Sequence, residues 1–413
     1  MPPFDTHARF IAAQDEPGLK LTLAISTAAQ AMATASVLAL ASIPTIVARE
    51  TGMAAHAIGY QVSLIYCAAM IVSAFAGGLV KRHGSARMAQ AALYLAGAGL
   101  LALASGALPA MMLGTVLIGG GYGLNNPSAS HILKRVTPGR LRNLVYSIKQ
   151  AGVPVGGVFA ALLMPLLSGW LGWRGALLAF ALVTLLLGAC YHPLRRRWDT
   201  DRDPGVTLAG SIVKGQKLLW TAPGLKALAA LGLLYSALQL SVSAFMVAML
   251  VDEFGWSLLL AGTMAAGVQV CGAVGRIVWG VVADWARSGF KVLALLGAAM
   301  GACCLLIAAA PHLPIAVTVL VLCALGLCAV GWNGVLLAET ARLSPGRHGT
   351  LTGEVLVYTF FGVMIGPSSF SAIYSGIGSY AKTFALFAAV AFAGTVIAAI
   401  AHRARPRGVS ETW

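Results

Sequence analysis

Three ionisable residues stand inside long apolar runs: Lys149, Arg276 and Glu354. An uncompensated charge in hydrocarbon costs roughly 2.5 to 3.5 kcal/mol on insertion scales, so each is a functional candidate. A guanidinium grips a carboxylate through two parallel hydrogen bonds, while an ammonium acts as a mobile point charge. The pair suits a small organic anion, most simply a carboxylate. At about 1.5 Å of rise per residue, Lys149 lies about 10 Å beyond Arg142, and Arg276 about 12 Å beyond Asp284. Their depths match, so one ligand is expected to reach both. Glu354 is the one carboxylate well inside a run, because Asp284 and Glu339 fall at run ends. It is the first candidate for a coupling proton.

Residues seven apart share a helix face, which sets Gln269 and Gly272 with Arg276, and Gly152 and Gly156 with Lys149. Small neighbours are expected to leave room beside each cation. Asn125 and Asn333 lie about 13 Å deep, near the midplane, where paired amides suit a central cavity. Gln150, Asn126, Trp332 and Tyr358 adjoin these positions, and Tyr358 shares the Glu354 face. Gln30, Gln61, Tyr66 and Gln239 are weaker candidates. Plainer roles stand beside these. Lys149 and Arg276 could snorkel, Arg276 could join Asp284 in a gate network, and Glu354 could neutralise Lys149 or rest near a helix N-terminus. The amides could simply hydrogen-bond between helices.

The elements that must carry these residues follow from composition. Of 413 residues, 59% are hydrophobic and 10% charged, against ~25% charged in a soluble globule. The fold class is an all-α membrane protein, and large soluble domains are excluded. The net charge of +15 sits in short clusters between apolar runs, a loop pattern and not a nucleic-acid footprint. The seven cysteines show neither metal-ligand spacing nor a secreted disulfide framework. No metal and no cofactor are expected. Asp5, Asp15 and Glu16 precede a first run too long for a signal peptide's apolar core, so that run is read as a retained helix.

Twelve spans are predicted, at 21–47, 57–80, 88–108, 110–132, 144–167 and 173–190, then 225–251, 258–283, 292–310, 315–338, 351–373 and 383–401. They form two six-helix bundles, 1–191 and 225–413, joined by a polar linker at 192–224. Lys and Arg concentrate on the linker side, leaving Arg49, Arg174 and Lys382 opposite. That asymmetry places the linker and both termini in the cytoplasm, and a bacterial inner membrane is the expected location. The halves repeat. Gly77 and Lys81 match Gly280 and Asp284, Thr137-Pro138-Gly139-Arg140 matches Ser344-Pro345-Gly346-Arg347, Asn125 matches Asn333, and Gly152-Val153 matches Gly362-Val363. The offset drifts by only a few residues across three helices, which argues for duplication.

On these residues the chain resembles the major facilitator superfamily over essentially its whole length. That resemblance implies a pseudo-symmetric fold of two bundles around a central site. The family's loop signature after the second span, Gly-x-x-x-Asp-Arg/Lys-x-Gly and then basic residues, is matched by Gly77, Arg82, Gly84 and Arg87, with Lys81 replacing the aspartate. The second-half loop keeps Gly280 and Asp284 but has Trp285 where a basic residue is common. The resemblance implies that these loops form a charge network steadying one face of a gate. Arg276, followed by Gly280 and Asp284, is similar to the oxalate/formate exchanger and monocarboxylate transporter group, whose arginine here binds the substrate carboxylate. The second cation differs, since this chain has Glu354 in the eleventh span and its lysine in the fifth. Gly152-Val153-Pro154-Val155-Gly156-Gly157 lacks the Gly-Pro pair of the antiporter motif.

No span supplies paired aspartates, a serine with a histidine at matched depth, or a His/Glu metal site, and there is no nucleotide phosphate loop. The chain is not expected to be an enzyme. The expectation is a monomeric secondary transporter for a small organic anion, working by alternating access with proton symport or anion exchange. Drug or cation efflux by proton antiport, and a receptor that binds without transporting, are the alternatives.

Overall fold

The computed structural model describes residues 18–52, 57–309, 313–344 and 348–404. Asp5, Asp15, Glu16 and the Pro345-Gly346-Arg347 part of the repeat lie outside them. Every regular element among the described residues is helical.

The predicted first span divides. Helix α1 (Leu19–Leu38) runs into a short 3-10 turn, Leu40–Ser42, and α2 (Pro44–Thr51) starts afresh at Pro44, because proline cannot continue a hydrogen-bonded turn. α3 (Ala57–His83), α4 (Ser85–Ala104) and α5 (Leu108–Val136) follow. α6 (Arg142–Cys190) contains both the fifth and sixth predicted spans, broken at Gly172 with φ 70° and ψ 163°. Only glycine adopts that conformation without strain.

The linker is not a bare connection. It holds a single turn, α7 (Arg195–Trp198), and an amphipathic helix, α8 (Leu208–Thr221). The second half then gives α9 (Pro223–Ala248), α10 (Leu258–Trp285) and α11 (Gly289–Ala309). The tenth span is split into α12 (Ile315–Ala329) and α13 (Asn333–Leu343), and α14 (His348–Ile377) and α15 (Tyr380–Arg403) complete the chain.

Ten helical segments among the described residues are long and apolar enough to cross a bilayer, and the one at 139–190 contains two predicted spans. α5 has the length but is too polar for that measure, because its middle reads Gly119-Gly120-Gly121-Tyr122-Gly123 and then Asn125-Asn126. Those glycines are packing surfaces. A Cβ at Gly119, Gly121 or Gly123 would lie 2.3–2.5 Å from the main-chain oxygens of Ile65, Ala92 and Ala69. α5 is therefore pressed backbone to backbone between α3 and α4, the close packing that small residues permit in a membrane.

Helices of the two halves meet chiefly through α3 with α14 and α6 with α10. The tightest approaches lie toward the linker end. A Cβ at Gly353 would sit 2.3 Å from the Ser73 oxygen, and Cβ atoms at Gly280 and Gly334 would strike Ser147 at 2.6 and 2.5 Å.

Candidate substrate site

The site grows out of α6. Lys149 and Gln150 fall on its buried face two turns in from Arg142, and Lys149 is 2% exposed. Its Nζ donates to Gln30 Oε1 at 2.6 Å, to Gln150 Oε1 at 3.1 Å and to Asn126 Oδ1. Asn125 does not reach the ammonium. Its Nδ2 donates to Gln30 Oε1 at 2.8 Å, which fixes the acceptor that the lysine uses.

Arg276 approaches from α10. It is 1% exposed, and its Nη1 donates to the main-chain oxygen of Gln150 at 2.5 Å. Gln150 then reaches the other half a second time, its Nε2 donating to Asn333 Oδ1 at 3.0 Å. One glutamine thus connects the lysine of the first half to the arginine and the asparagine of the second. Arg276 Nε is buried with no partner. None of the ion pairs among the described residues involves Lys149 or Arg276.

A cavity of about 80 Å³ opens beside Arg276, Gln150, Asn126 and Asn333. Tyr66 of α3, Tyr122 of α5 and Phe360 of α14 form its aromatic side, with ring centroids 5.8–6.0 Å apart. Gln239 adds a further amide and accepts from Trp332 Nε1 at 3.1 Å. Gln269 lies two turns from Arg276 along α10, is exposed and does not line the cavity.

Several sequence expectations need correction. Lys149 does not line the cavity. It stands behind Asn126 and Gln150, which take its hydrogen bonds. Gly152 and Gly156 leave no room for a ligand, because their missing Cβ atoms admit the α1 backbone at Thr27 and Ala31, and the space at Gly272 is filled by Val330. Glu354 is buried but lies at the linker end of α14, held by Gln216 of α8, with Gly215 closing over it. Tyr358 turns the same way: its hydroxyl accepts from Trp220 Nε1 at 2.9 Å and donates to Gln216 Oε1 at 3.1 Å. Neither shares a space with the two cations. Both were misplaced because the linker gave no sign of a helix covering α14.

The sequence profile of the Major Facilitator Superfamily matches residues 23–367. The chain belongs to this superfamily. A transporter of Mycobacterium tuberculosis described as an uncharacterized MFS-type transporter is 27% identical over 64% of this chain, and the alignment spans 59% of that relative's length. The 2-nitroimidazole transporter of Escherichia coli is 28% identical over 40% of this chain and 41% of its own. In architecture, the E. coli fucose:proton symporter superposes with a TM-score of 0.74 at 16% identity, over 93% of this chain and 99% of that one. The chain is thus a multi-pass membrane protein with the superfamily fold.

The superfamily's signature loops can now be placed. Asp284 crosses between the halves: its Oδ1 accepts from Asn143 N at 3.0 Å and Nδ2 at 2.7 Å, and its Oδ2 from Leu144 N at 2.8 Å. A carboxylate at a helix N-terminus satisfies amides that the helix cannot. In the first half this role passes to the linker. Asp199 accepts from Ala86 N at 2.7 Å and Arg87 N at 3.2 Å, with Arg87 Nε 3.8 Å away. Gly84 has φ 100°, and a Cβ there would lie 2.2 Å from the Asp199 carboxyl carbon. Burial pushes the Asp199 carboxyl up, against these hydrogen bonds and the Arg87 and Arg195 charges that pull it down. Lys81, which replaces the family aspartate, pairs with Asp203 at 3.8 Å. Arg82 is exposed and takes no hydrogen bond or ion pair with another described residue.

Of the residues lining the cavity, Tyr122, Phe360, Ser236 and Thr359 were not foreseen. Tyr122 had a signal, an aromatic ring between two glycines at the depth of Asn125. The others read as ordinary span residues.

Proposed function

We propose that this superfamily member moves a small organic anion, most simply a carboxylate, across a bacterial inner membrane by alternating access. The linker end faces the cytoplasm, as its excess of Lys and Arg favours. The chain works as a monomer of two bundles, 1–191 and 225–413, that rock about the cavity, and transport is driven by proton symport or by exchange of one anion for another.

One observation carries this reading: Arg276 is buried against a cavity between the halves, with Nε unpaired and no carboxylate of the described residues in ion-pair contact. A buried guanidinium without a counter-charge is costly, and an entering carboxylate supplies both the charge and the acceptors it lacks. The close approaches at the linker end support a state closed toward the cytoplasm. Alternating access then requires the Asp284 cap on α6 to break and reform.

Proteoliposome uptake tests the reading, using carboxylates, sugars and cationic drugs, with and without a pH gradient. Saturable uptake of carboxylates, competed by other anions, is expected. A response confined to cations would assign the chain to efflux instead.

A further inference from the structure

The cavity beside Arg276 has two unlike walls, and one of the two cations has nothing left to offer. A lysine ammonium has three N–H donors. Those of Lys149 are directed at Gln30, Asn126 and Gln150. Arg276 has five donors, of which Nη1 is engaged with Gln150 and the buried Nε is unpaired. The site therefore offers one guanidinium edge to one anionic group. Facing it are Tyr66, Tyr122 and Phe360, contributed by both halves, with centroids 5.8, 5.9 and 6.0 Å apart. Leu240 and Leu356 extend this apolar side. The volume of about 80 Å³ holds roughly half a dozen water-sized groups at about 10–15 Å³ each, which excludes long chains.

We infer that the ligand of this cavity carries a single carboxylate on a flat, largely apolar body about the size of one aromatic ring, its carboxylate on Arg276 and its body against Tyr66, Tyr122 and Phe360. This rests on the reading of Arg276 as an anion site and adds the shape and charge count of the anion. A dicarboxylate brings a second charge that finds Lys149 already saturated, and burying it unpaired is costly. A short aliphatic acid satisfies Arg276 but covers little of the aromatic side that Tyr66, Tyr122 and Phe360 present to the cavity. Edge and face contacts between rings contribute beyond buried area.

The test is ligand affinity of the purified full chain, read by thermal stabilisation, for benzoate, acetate and succinate as probes. Benzoate should bind several-fold to about tenfold more tightly than acetate, the range of one well-placed ring contact, and succinate should give no stabilisation. Phe360→Leu and Tyr66→Leu should each lower the benzoate-to-acetate affinity ratio several-fold. If acetate matches benzoate, or succinate binds most tightly, the anion site stands and the inferred shape is overturned. If no carboxylate binds, the anion reading fails and this inference fails with it. Should the ring variants not fold, the three probes on the unaltered chain decide alone.

Discussion

Arg276 donates through Nη1 to the main-chain oxygen of Gln150 at 2.5 Å, so the cation of the second half is held by the backbone of the first. The acceptor is a peptide carbonyl, and no substitution at position 150 removes it. Gln150 keeps its side chain for Lys149 and Asn333. The two cations therefore share one residue without sharing a counter-ion, and any opening of the halves at this depth must part Arg276 from Gln150.

The gate should depend on Asp284. Replacing it with alanine removes three hydrogen bonds that cap α6 from the opposite half, worth about 1–2 kcal/mol for a capping carboxylate. That shifts the balance of states roughly 5- to 30-fold. Spin labels at the exposed Arg82 and Arg287, one on each half, should show a longer distance population in the Asp284→Ala protein. An unchanged distribution would mean that this cap does not hold the end closed.

Gly84→Ala should cost stability twice over, through a left-handed backbone at φ 100° and through collision with Asp199. Strain of this kind is worth about 1–3 kcal/mol. Gly169 meets nothing within 4 Å, so Gly169→Ala is the control. The unfolding temperature of Gly84→Ala in detergent should fall well below that of Gly169→Ala, and equal values would show that Asp199 is free to move away.

The linker should loosen in acid. Burial pushes the Asp201 carboxyl up, but the hydrogen bond and charge of His131, with the charge of Arg135, outweigh it and hold Asp201 below its ordinary value. A folded-state pKa below the unfolded one gives stability that is fully present above the unfolded value, near ~3.9 for aspartate. It is lost as pH falls through the depressed folded value. Amide exchange at 198–203, corrected for intrinsic rates, should be faster at about pH 3 than at about pH 5, and Asp201→Asn should abolish the difference. Asp201 is half-exposed, so solvent screening keeps the effect local.

Glu354→Gln should retain pH-driven uptake, if the proposed transport is proton-coupled, because Glu354 faces Gln216 of the linker helix and not the cavity. Loss of uphill uptake with exchange retained would restore this carboxylate as the proton carrier.

How much of this was legible depends on the range of the interaction. Apolar runs report hydrocarbon directly, so the helical spans and their order could be read from residue counting. Pro44 and Gly172 also carry their breaks in their chemistry. The contents of the site are long-range. That Gln30 accepts a hydrogen bond from Lys149, or that Gly156 admits Ala31 of α1 and not a ligand, depends on which helices become neighbours, and periodicity along one helix does not specify it. The linker misled most. Its polarity was real, but it hid a helix whose Gln216 and Trp220 hydrogen-bond to Glu354 and Tyr358.

The most direct measurement compares carboxylate-dependent thermal stabilisation of the unaltered protein with that of Arg276→Gln, which keeps a hydrogen-bonding side chain and removes the charge. The account predicts a saturable rise in unfolding temperature for the first and none for the second, with both proteins monodisperse before ligand is added. Equal stabilisation of the two would contradict it and return Arg276 to a purely structural contact with Gln150.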